Sequence, residues 1–96
     1  YLANWPNKRI EAWNTLLKAR SIENQCITIG VNRVGEDSDG FVFNGKSVIF
    51  DAFGKKILDT KENQENVKTI VLDRDEIIAN RQKINFLKDR DNFFIT

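Results

Sequence analysis

The stretch KRIEAWNTLLKARSIENQCITIGV, residues 8–31, decides the fold because a helical spacing of apolar residues changes there into a short β-branched run. In its first part, Ile10, Trp13 and Leu17 recur at the three- and four-residue intervals that place side chains on one face of a helix. The second part, CITIGV at residues 26–31, has apolar side chains at both alternating sets of positions. It therefore predicts a strand that is covered on both faces.

The apolar arc of the predicted helix, residues 7–25, is wider than contact with one sheet requires. Ala12, Leu16 and Ala19 form a second apolar stripe beside the first. A helix that packs on a single sheet needs only a narrow stripe. The width indicates either a contact with a second layer, such as a helix of another subunit, or a helix deep within one core.

The flanking residues complete an alternation of strands and helices. Tyr1–Asn4 form the expected end of a strand, after which Pro6 favours an extended Trp5 and Asn7 is a candidate N-cap. Downstream, the pattern predicts a polar loop at 35–40 and two strands around the turn Asp51–Gly54. A strand that is apolar on both faces is predicted at 66–73, followed by a helix from residue 74. The chain is expected to end in a tail with apolar anchors at Phe86, Leu87, Phe93, Phe94 and Ile95. This order predicts one α/β unit over residues 1–96, arranged as half of a layered sandwich.

Composition excludes several classes of function. The 15 Lys and Arg residues nearly balance the 14 Asp and Glu residues and are interspersed with them, so no surface for nucleic acid or membrane is expected. With one Cys and no His, a disulfide framework and the usual zinc and His-dependent nucleophile sites are excluded. We expect a cytoplasmic protein without a metal, and the absence of Met leads us to expect a portion of a longer protein.

Two further motifs have a functional and a structural interpretation. Cys26 stands at the start of a strand among apolar neighbours, without a base, which favours a small buried residue over a reactive thiol. The acidic loop GEDSDG at residues 35–40 lacks the ligand spacing of an EF-hand and is interpreted as a solvated turn.

Two pairs of residues are candidates for a site. Arg20 and Glu23 lie three apart on the helix, as a surface ion pair or as a link to a buried neighbour. Asn4 and Trp5 stand at the end of a strand just before a helix, where α/β folds commonly place ligands. A Trp before a Pro is, however, also a common packing residue.

The residues then suggest a family. The chain contains five segments in a distinctive order: ANWP at 3–6, AWNTLLKARSIENQ at 12–25, GVNRVG at 30–35, FDAFG at 50–54 and DRDNF at 89–93. In their order and approximate spacing, the chain resembles the carbon-nitrogen hydrolase (nitrilase) superfamily over essentially its whole length. ANWP together with GVNRVG resembles its omega-amidase-like branch in particular.

The resemblance implies the C-terminal half of an α-β-β-α sandwich and an amidase without cofactor or metal. Its Glu-Lys-Cys triad would precede ANWP, so none of the three would lie in this chain, and Cys26 does not match the nucleophile. The Glu would act as base on the Cys, whose thiolate attacks the amide carbonyl, while the Lys and a backbone N–H stabilise the oxyanion. Ammonia leaves, and water hydrolyses the thioester. The implied substrates are monoamides of dicarboxylic acids, such as α-ketoglutaramate and succinamate.

The resemblance also implies roles for six residues. Asn4 and Trp5 match the segment that faces the active site, so we expect them to bind substrate. Structural support is expected from four others: Arg20, Glu23, Asn32 and Arg33. For the last two, lining the pocket is the alternative to ordering the loop.

The implied partners are a small amide substrate and a second copy of the protein. The homodimer would form through helix 7–25 and the C-terminal tail, which suits the wide apolar arc. Three functions stay open: an omega-amidase, a member of the superfamily acting on a nitrile, carbamoyl amine or aliphatic amide, and an assembly domain that has lost its chemistry.

Overall fold

The computed structural model describes residues 1–96 and contains two helices, a four-stranded sheet and a separate two-stranded ribbon. The helices are α1 (Ile10–Glu23) and α2 (Arg74–Lys83), with 3-10 turns at Asn7–Arg9 and Phe86–Asp89. The strands are β1 (Leu2–Ala3), β2 (Thr28–Asn32), β3 (Val34–Glu36), β4 (Val42–Asn44), β5 (Val48–Phe50) and β6 (Lys56–Asp59). The predicted mixture of helices and strands, and with it the α/β class, is confirmed.

The topology of the sheet brings the ends of two strands together. The strands lie in the order β1-β2-β5-β6, with β1 parallel to β2 and the other two pairs antiparallel. Ala3 at the end of β1 is the register partner of Asn32 at the end of β2. Because parallel strands end at the same edge, the residues that follow β1 lie beside the last residue of β2.

The core lies between α1 and one face of this sheet. Trp13 and Leu17 of α1 are buried against Val48 and Phe50 of β5. A Cβ atom at Gly30 of β2 would lie only 2.4 Å from Leu17 Cδ1 and 2.7 Å from Trp13 Cζ2. The close approach of the helix to the sheet therefore depends on glycine at this position.

The start and the second stripe of α1 differ from the prediction. Asn7 is not an N-cap: it lies in the 3-10 turn, whose Pro6 carbonyl accepts from Arg9 N at 3.0 Å. Pro6 fixes the backbone in an extended conformation one residue earlier, so the chain forms the tighter 3-10 turn before the α-helix begins.

In the second stripe Leu16 is exposed, and this side of α1 is not deep within a core of this chain.

The strand β2 is covered on one face only. Its residues alternate, so that Thr28, Gly30 and Asn32 are buried under α1 while Ile29 and Val31 are 41% and 46% exposed. The prediction of burial on both faces is wrong for these two residues, although Ile49, the register partner of Ile29 on β5, is buried. The radius of gyration is 16.1 Å, whereas a closed domain of this length has about 12.5 Å. The chain thus leaves one side of its sheet open.

The central hairpin is confirmed, and a second one was not predicted. The strands β5 and β6 pair around the turn Asp51–Gly54, where Gly54 has the positive φ, +78°, that this turn requires. The predicted loop at 35–40 is instead partly strand, because Gly35 and Glu36 pair with β4. The polar turn itself follows, where Asp37 Oδ1 accepts from Phe41 N at 2.9 Å.

The C-terminal third agrees with the prediction in its helix but not in its strand. The N-cap of α2 is Asp73, whose carboxylate accepts from two backbone N–H groups of the first turn. No strand forms at residues 66–73, where the segment pairs with no strand of the sheet, and Val67 and Val71 are almost fully exposed.

The predicted apolar anchors of the tail are also not buried within this chain. Leu87 is half-buried and Phe86 is 41% exposed, while Phe93, Phe94 and Ile95 are much more exposed. Neither α1 nor α2 has the length and apolar content needed to cross a membrane.

Replacing Gly30 with Ala should destabilise the fold. The added methyl group overlaps Leu17 Cδ1 and Trp13 Cζ2, so the helix must move or both side chains must leave their positions. We expect a loss of about 1–3 kcal/mol in the free energy of unfolding, measured by denaturant titration. Ile29→Val on the open face of the same strand is the control, with an expected change within about 0.5 kcal/mol. Equal stability of Gly30→Ala and the wild type would contradict the close packing.

Candidate functional site

The candidate site lies where the chain leaves β1. Trp5 N donates to Asn32 Oδ1 at 2.8 Å, and Asn32 Nδ2 donates to Trp5 O at 3.0 Å. The Asn4 side chain is exposed and makes no hydrogen bond within the chain. Two of the predicted residues, Trp5 and Asn32, are therefore in direct contact, and Asn4 stands next to them with its amide free for a ligand.

The ring of Trp5 is held by contacts with Arg9 and with Trp13. Its Nε1 donates to the carbonyl of Arg9 at 2.6 Å, and the Arg9 guanidinium carbon lies 4.9 Å from the ring centroid. The ring centroids of Trp5 and Trp13 are 5.7 Å apart at a tilted angle, a favourable arrangement for an aromatic pair. These contacts connect Trp5 to the helix core and fix the direction in which the segment leaves the sheet.

Arg33 lies apart from Trp5. Its guanidinium carbon is 4.8 Å from the ring centroid of Phe43, and its side chain donates to the carbonyls of Val34 and Glu36 at 3.5 Å. Arg33 is therefore packed on the β3–β4 ribbon. The Arg33 side chain is exposed to solvent.

Arg20 and Glu23 form a hydrogen-bonded ion pair on α1. Their side chains are 47% and 49% exposed, so water screens the attraction and the pair contributes little to stability. Glu23 also accepts from Asn24 Nδ2 at 3.2 Å, which places the pair at the C-terminal end of the helix.

The predicted site residues line two different concave surfaces. An apolar groove of about 490 Å³ between α1 and β1 is lined by Trp5 and Arg20 together with Leu2 and Leu16. A polar concavity of about 600 Å³ lies on the other side of β2, and its lining includes Asn32, Arg33, Ser47 and Thr60. Asn32 is the residue that connects the two, because its side chain contacts Trp5 while the residue lines the polar concavity.

Cys26 has no partner of the kind that a nucleophile requires. It is half-buried rather than buried as predicted, and its Sγ lies 3.9 Å from the hydroxyl of Thr28, which is not a base at neutral pH. No group of three or more His, Cys, Asp and Glu residues is arranged to hold a metal ion.

Three residues of the β4–β5 turn were missed by the sequence analysis. Gly45 O accepts from Asn32 Nδ2 at 2.8 Å, and Ser47 Oγ accepts from Asn32 N at 2.9 Å. Lys46 O accepts from Trp13 Nε1 at 2.9 Å. The dipeptide Asn44-Gly45 was a turn signal for this position, but nothing in the sequence connects it with Asn32.

Lys46 also forms an ion pair that closes the turn. Its Nζ lies 2.7 Å from Glu62 Oε1, and the hydrogen bond to this carboxylate raises the pKa of Lys46 above its ordinary value. Lys46 is therefore charged at neutral pH and links the turn to the segment after β6.

The fold and this site define a class of protein. A sheet covered by a helix, with candidate residues at the carboxyl end of a parallel strand, is the arrangement in which layered α/β proteins bind ligands. The chain belongs to the carbon-nitrogen hydrolase family, whose family model matches residues 3–82.

Individual relatives agree with this assignment. The chain is 39% identical over 95 residues to an omega-amidase of Yersinia enterocolitica, covering 99% of this chain and 37% of the relative. It is 34% identical over 87 residues to a 2-oxoglutaramate amidase of Bacillus subtilis, covering 91% of this chain and 33% of that enzyme.

A crystal structure supports the fold. A CN-hydrolase superfamily protein of Xanthomonas campestris, solved with an arsenic adduct in its active site, superimposes with a TM-score of 0.90 at 36% identity. The match covers 99% of this chain and 36% of that protein. The chain thus spans slightly more than a third of the length of the Yersinia and Xanthomonas relatives.

Proposed function

We propose that these 96 residues are the C-terminal part of an amidase that converts monoamides of dicarboxylic acids, such as α-ketoglutaramate and succinamate, into the acid and ammonia. The observation that carries this proposal is the similarity to omega-amidases across nearly the whole chain, at 36–39% identity. Below, the complete enzyme means the protein in which the rest of the family's domain precedes residue 1.

The proposed reaction is acyl transfer to a Cys followed by hydrolysis. A Glu accepts the thiol proton, and the thiolate attacks the amide carbonyl. The C–N bond then breaks as the protonated Glu returns this proton to the NH2 group, which leaves as ammonia. Water then attacks the thioester, which releases the acid and restores the thiol. A Lys and a backbone N–H stabilise both tetrahedral oxyanions. These groups belong to the preceding part of the domain, and Cys26 takes no part.

The role of the present chain is to form one wall of the substrate pocket. Asn4 and Trp5 are proposed to contact the substrate, which is supported by the free amide of Asn4 and by the fixed ring of Trp5. A rigid aromatic wall can position the acyl chain of a small dicarboxylate at little cost in entropy. Arg20, Glu23 and Arg33 are proposed to support this wall from behind.

A second candidate keeps the family and changes the substrate. The chain is 40% identical over 77 residues to an (R)-stereoselective amidase of a Pseudomonas species. An amide of a chiral acid is therefore a reasonable competitor for the same pocket, beside nitriles and carbamoyl amines.

Ammonia release by the complete enzyme distinguishes these candidates. We expect turnover of α-ketoglutaramate and succinamate, and little with glutamine, a chiral carboxamide, a carbamoyl amine or a simple nitrile. A preference for one of the last three would assign the enzyme to another branch. A folded protein that is silent on all six compounds would favour an assembly domain.

Substitution of Trp5 tests the proposed wall. Trp5→Ala in the complete enzyme should lower kcat/KM for succinamate by about tenfold to a hundredfold, since the acyl chain loses its positioning surface. Trp5→Phe keeps a ring against Trp13 and should retain most of the activity. Unchanged kinetics in Trp5→Ala would remove Trp5 from the substrate site.

We further propose that the complete enzyme is a homodimer in which α1 and the C-terminal tail contact the partner subunit. Support comes from Leu16 and Ile22, which are large apolar residues exposed on α1, and from the exposed Phe93 and Phe94. Exposed apolar groups of this size on one helix are expected where a partner covers them.

Charge placed on α1 should disrupt this dimer. Leu16→Lys in the complete enzyme is expected to lower the mass seen in sedimentation velocity from dimer to monomer at micromolar concentration, because the charge would be buried in the interface. Leu72→Lys is the matched control, since Leu72 is similarly exposed but lies outside α1 and the tail. A wild-type protein that is monomeric at all concentrations would contradict the proposal.

A further inference from the structure

The amide of Asn32 replaces a missing strand pair. The ladder between β1 and β2 ends at the pair Ala3 and Asn32, and Trp5 follows Ala3 by two residues, beyond the end of the ladder. Trp5 N donates to Asn32 Oδ1, and Trp5 O accepts from Asn32 Nδ2, at 2.8 Å and 3.0 Å. One side chain thus satisfies both backbone groups of Trp5, as a neighbouring strand would.

Asn32 is also hydrogen-bonded to the β4–β5 turn, through its side-chain amide and through its backbone. Its second Nδ2 hydrogen is donated to Gly45 O at 2.8 Å, and Ser47 Oγ bonds to both the N–H and the carbonyl of Asn32, at 2.9 Å and 3.3 Å. Reversing the amide would turn Nδ2 toward the N–H of Trp5 and Oδ1 toward two carbonyls. The hydrogen bonds therefore allow only one orientation of this buried side chain.

Asn32 consequently determines where the Trp5 backbone stands relative to the sheet. The ring contacts with Arg9 and Trp13 hold the side chain of Trp5, whereas its backbone N–H and carbonyl are hydrogen-bonded to Asn32. The Asn4 side chain is exposed and makes no hydrogen bond that would hold it. The position of both proposed substrate-binding residues thus depends on a side chain at the end of another strand.

We propose that Asn32 is a positioning residue of the amidase site, which sets the Asn4–Trp5 wall by clamping the Trp5 backbone to β2 and to the β4–β5 turn. This inference rests on the proposed function, in which that wall contacts the substrate. Asn32 itself does not touch the reacting atoms. Its loss should therefore weaken the fit of the substrate more than it slows the chemical step.

Asn44 offers a matched control. It is the same residue type with the same exposed fraction, 8%, and it lies at the end of β4. Its Oδ1 has no hydrogen-bond partner, and the side-chain hydrogen bonds to the Trp5 backbone come from Asn32 and not from Asn44. Replacing it creates a similar small cavity without releasing the wall.

The experiment compares Asn32→Ala with Asn44→Ala in the complete enzyme, with succinamate as substrate. We expect Asn32→Ala to lower kcat/KM by about tenfold to a hundredfold, mainly through a higher KM. Hydrogen exchange of the backbone near Trp5 should accelerate in Asn32→Ala and not in Asn44→Ala. If Asn32→Ala does not fold, Asn32→Asp keeps the volume and the acceptor for Trp5 N but loses both donors, so KM should still rise.

The outcomes separate the two proposals. A wild-type enzyme that hydrolyses succinamate, with equal kinetics in the Asn32 and Asn44 variants, overturns the positioning role and leaves the proposed function standing. Faster exchange near Trp5 with an unchanged KM overturns it as well, because the clamp would then be purely structural. A wild-type enzyme with no turnover of any monoamide overturns both.

Discussion

The contact of Trp13 and Leu17 with the bare backbone at Gly30 is the one on which the rest of the structure depends. With no Cβ at this point, α1 approaches β2 closely enough for its two large side chains to reach β5. The same approach brings the indole N–H of Trp13 to the carbonyl of Lys46 and its ring to Trp5. The short distance between α1 and β2 thus sets the positions of the β4–β5 turn and of the segment that follows β1.

The open face of the sheet is the second constraint. Ile29 and Val31 on this face are 41% and 46% exposed, and the chain is more extended than a closed domain of its length. The chain belongs to the carbon-nitrogen hydrolase family and spans slightly more than a third of the relatives that match almost all of it. The proposal that it forms one wall of a larger active site accounts for both features, since such a wall presents residues to a pocket that it does not enclose.

Local signals in the sequence predicted the elements that depend on local interactions. The spacing of Ile10, Trp13 and Leu17 located α1, and Asp73 capped α2 near the predicted start. The strand predicted at residues 66–73 was wrong because β-structure requires a partner strand, and an apolar run does not specify one. The short β3–β4 ribbon was missed because Gly35 and Glu36 have low strand propensity and pair only through tertiary context.

The position of Asn4 and Trp5 after β1 was predictable from the sequence, but the contacts of the candidate site were not. The end of β1 and its Asn4–Trp5 pair followed from position alone, whereas the role of Asn32 follows from hydrogen bonds to residues 27 and 13 positions away. Asn32 and Asn44 are indistinguishable by type and burial, and only the three-dimensional contacts separate a clamp from a buried residue with an unpaired oxygen. The most direct test of the wall is a crystal structure of the complete enzyme with succinate bound. The account predicts that the dicarboxylate contacts Asn4 or the ring of Trp5, and a ligand in the active site that touches neither residue would contradict it.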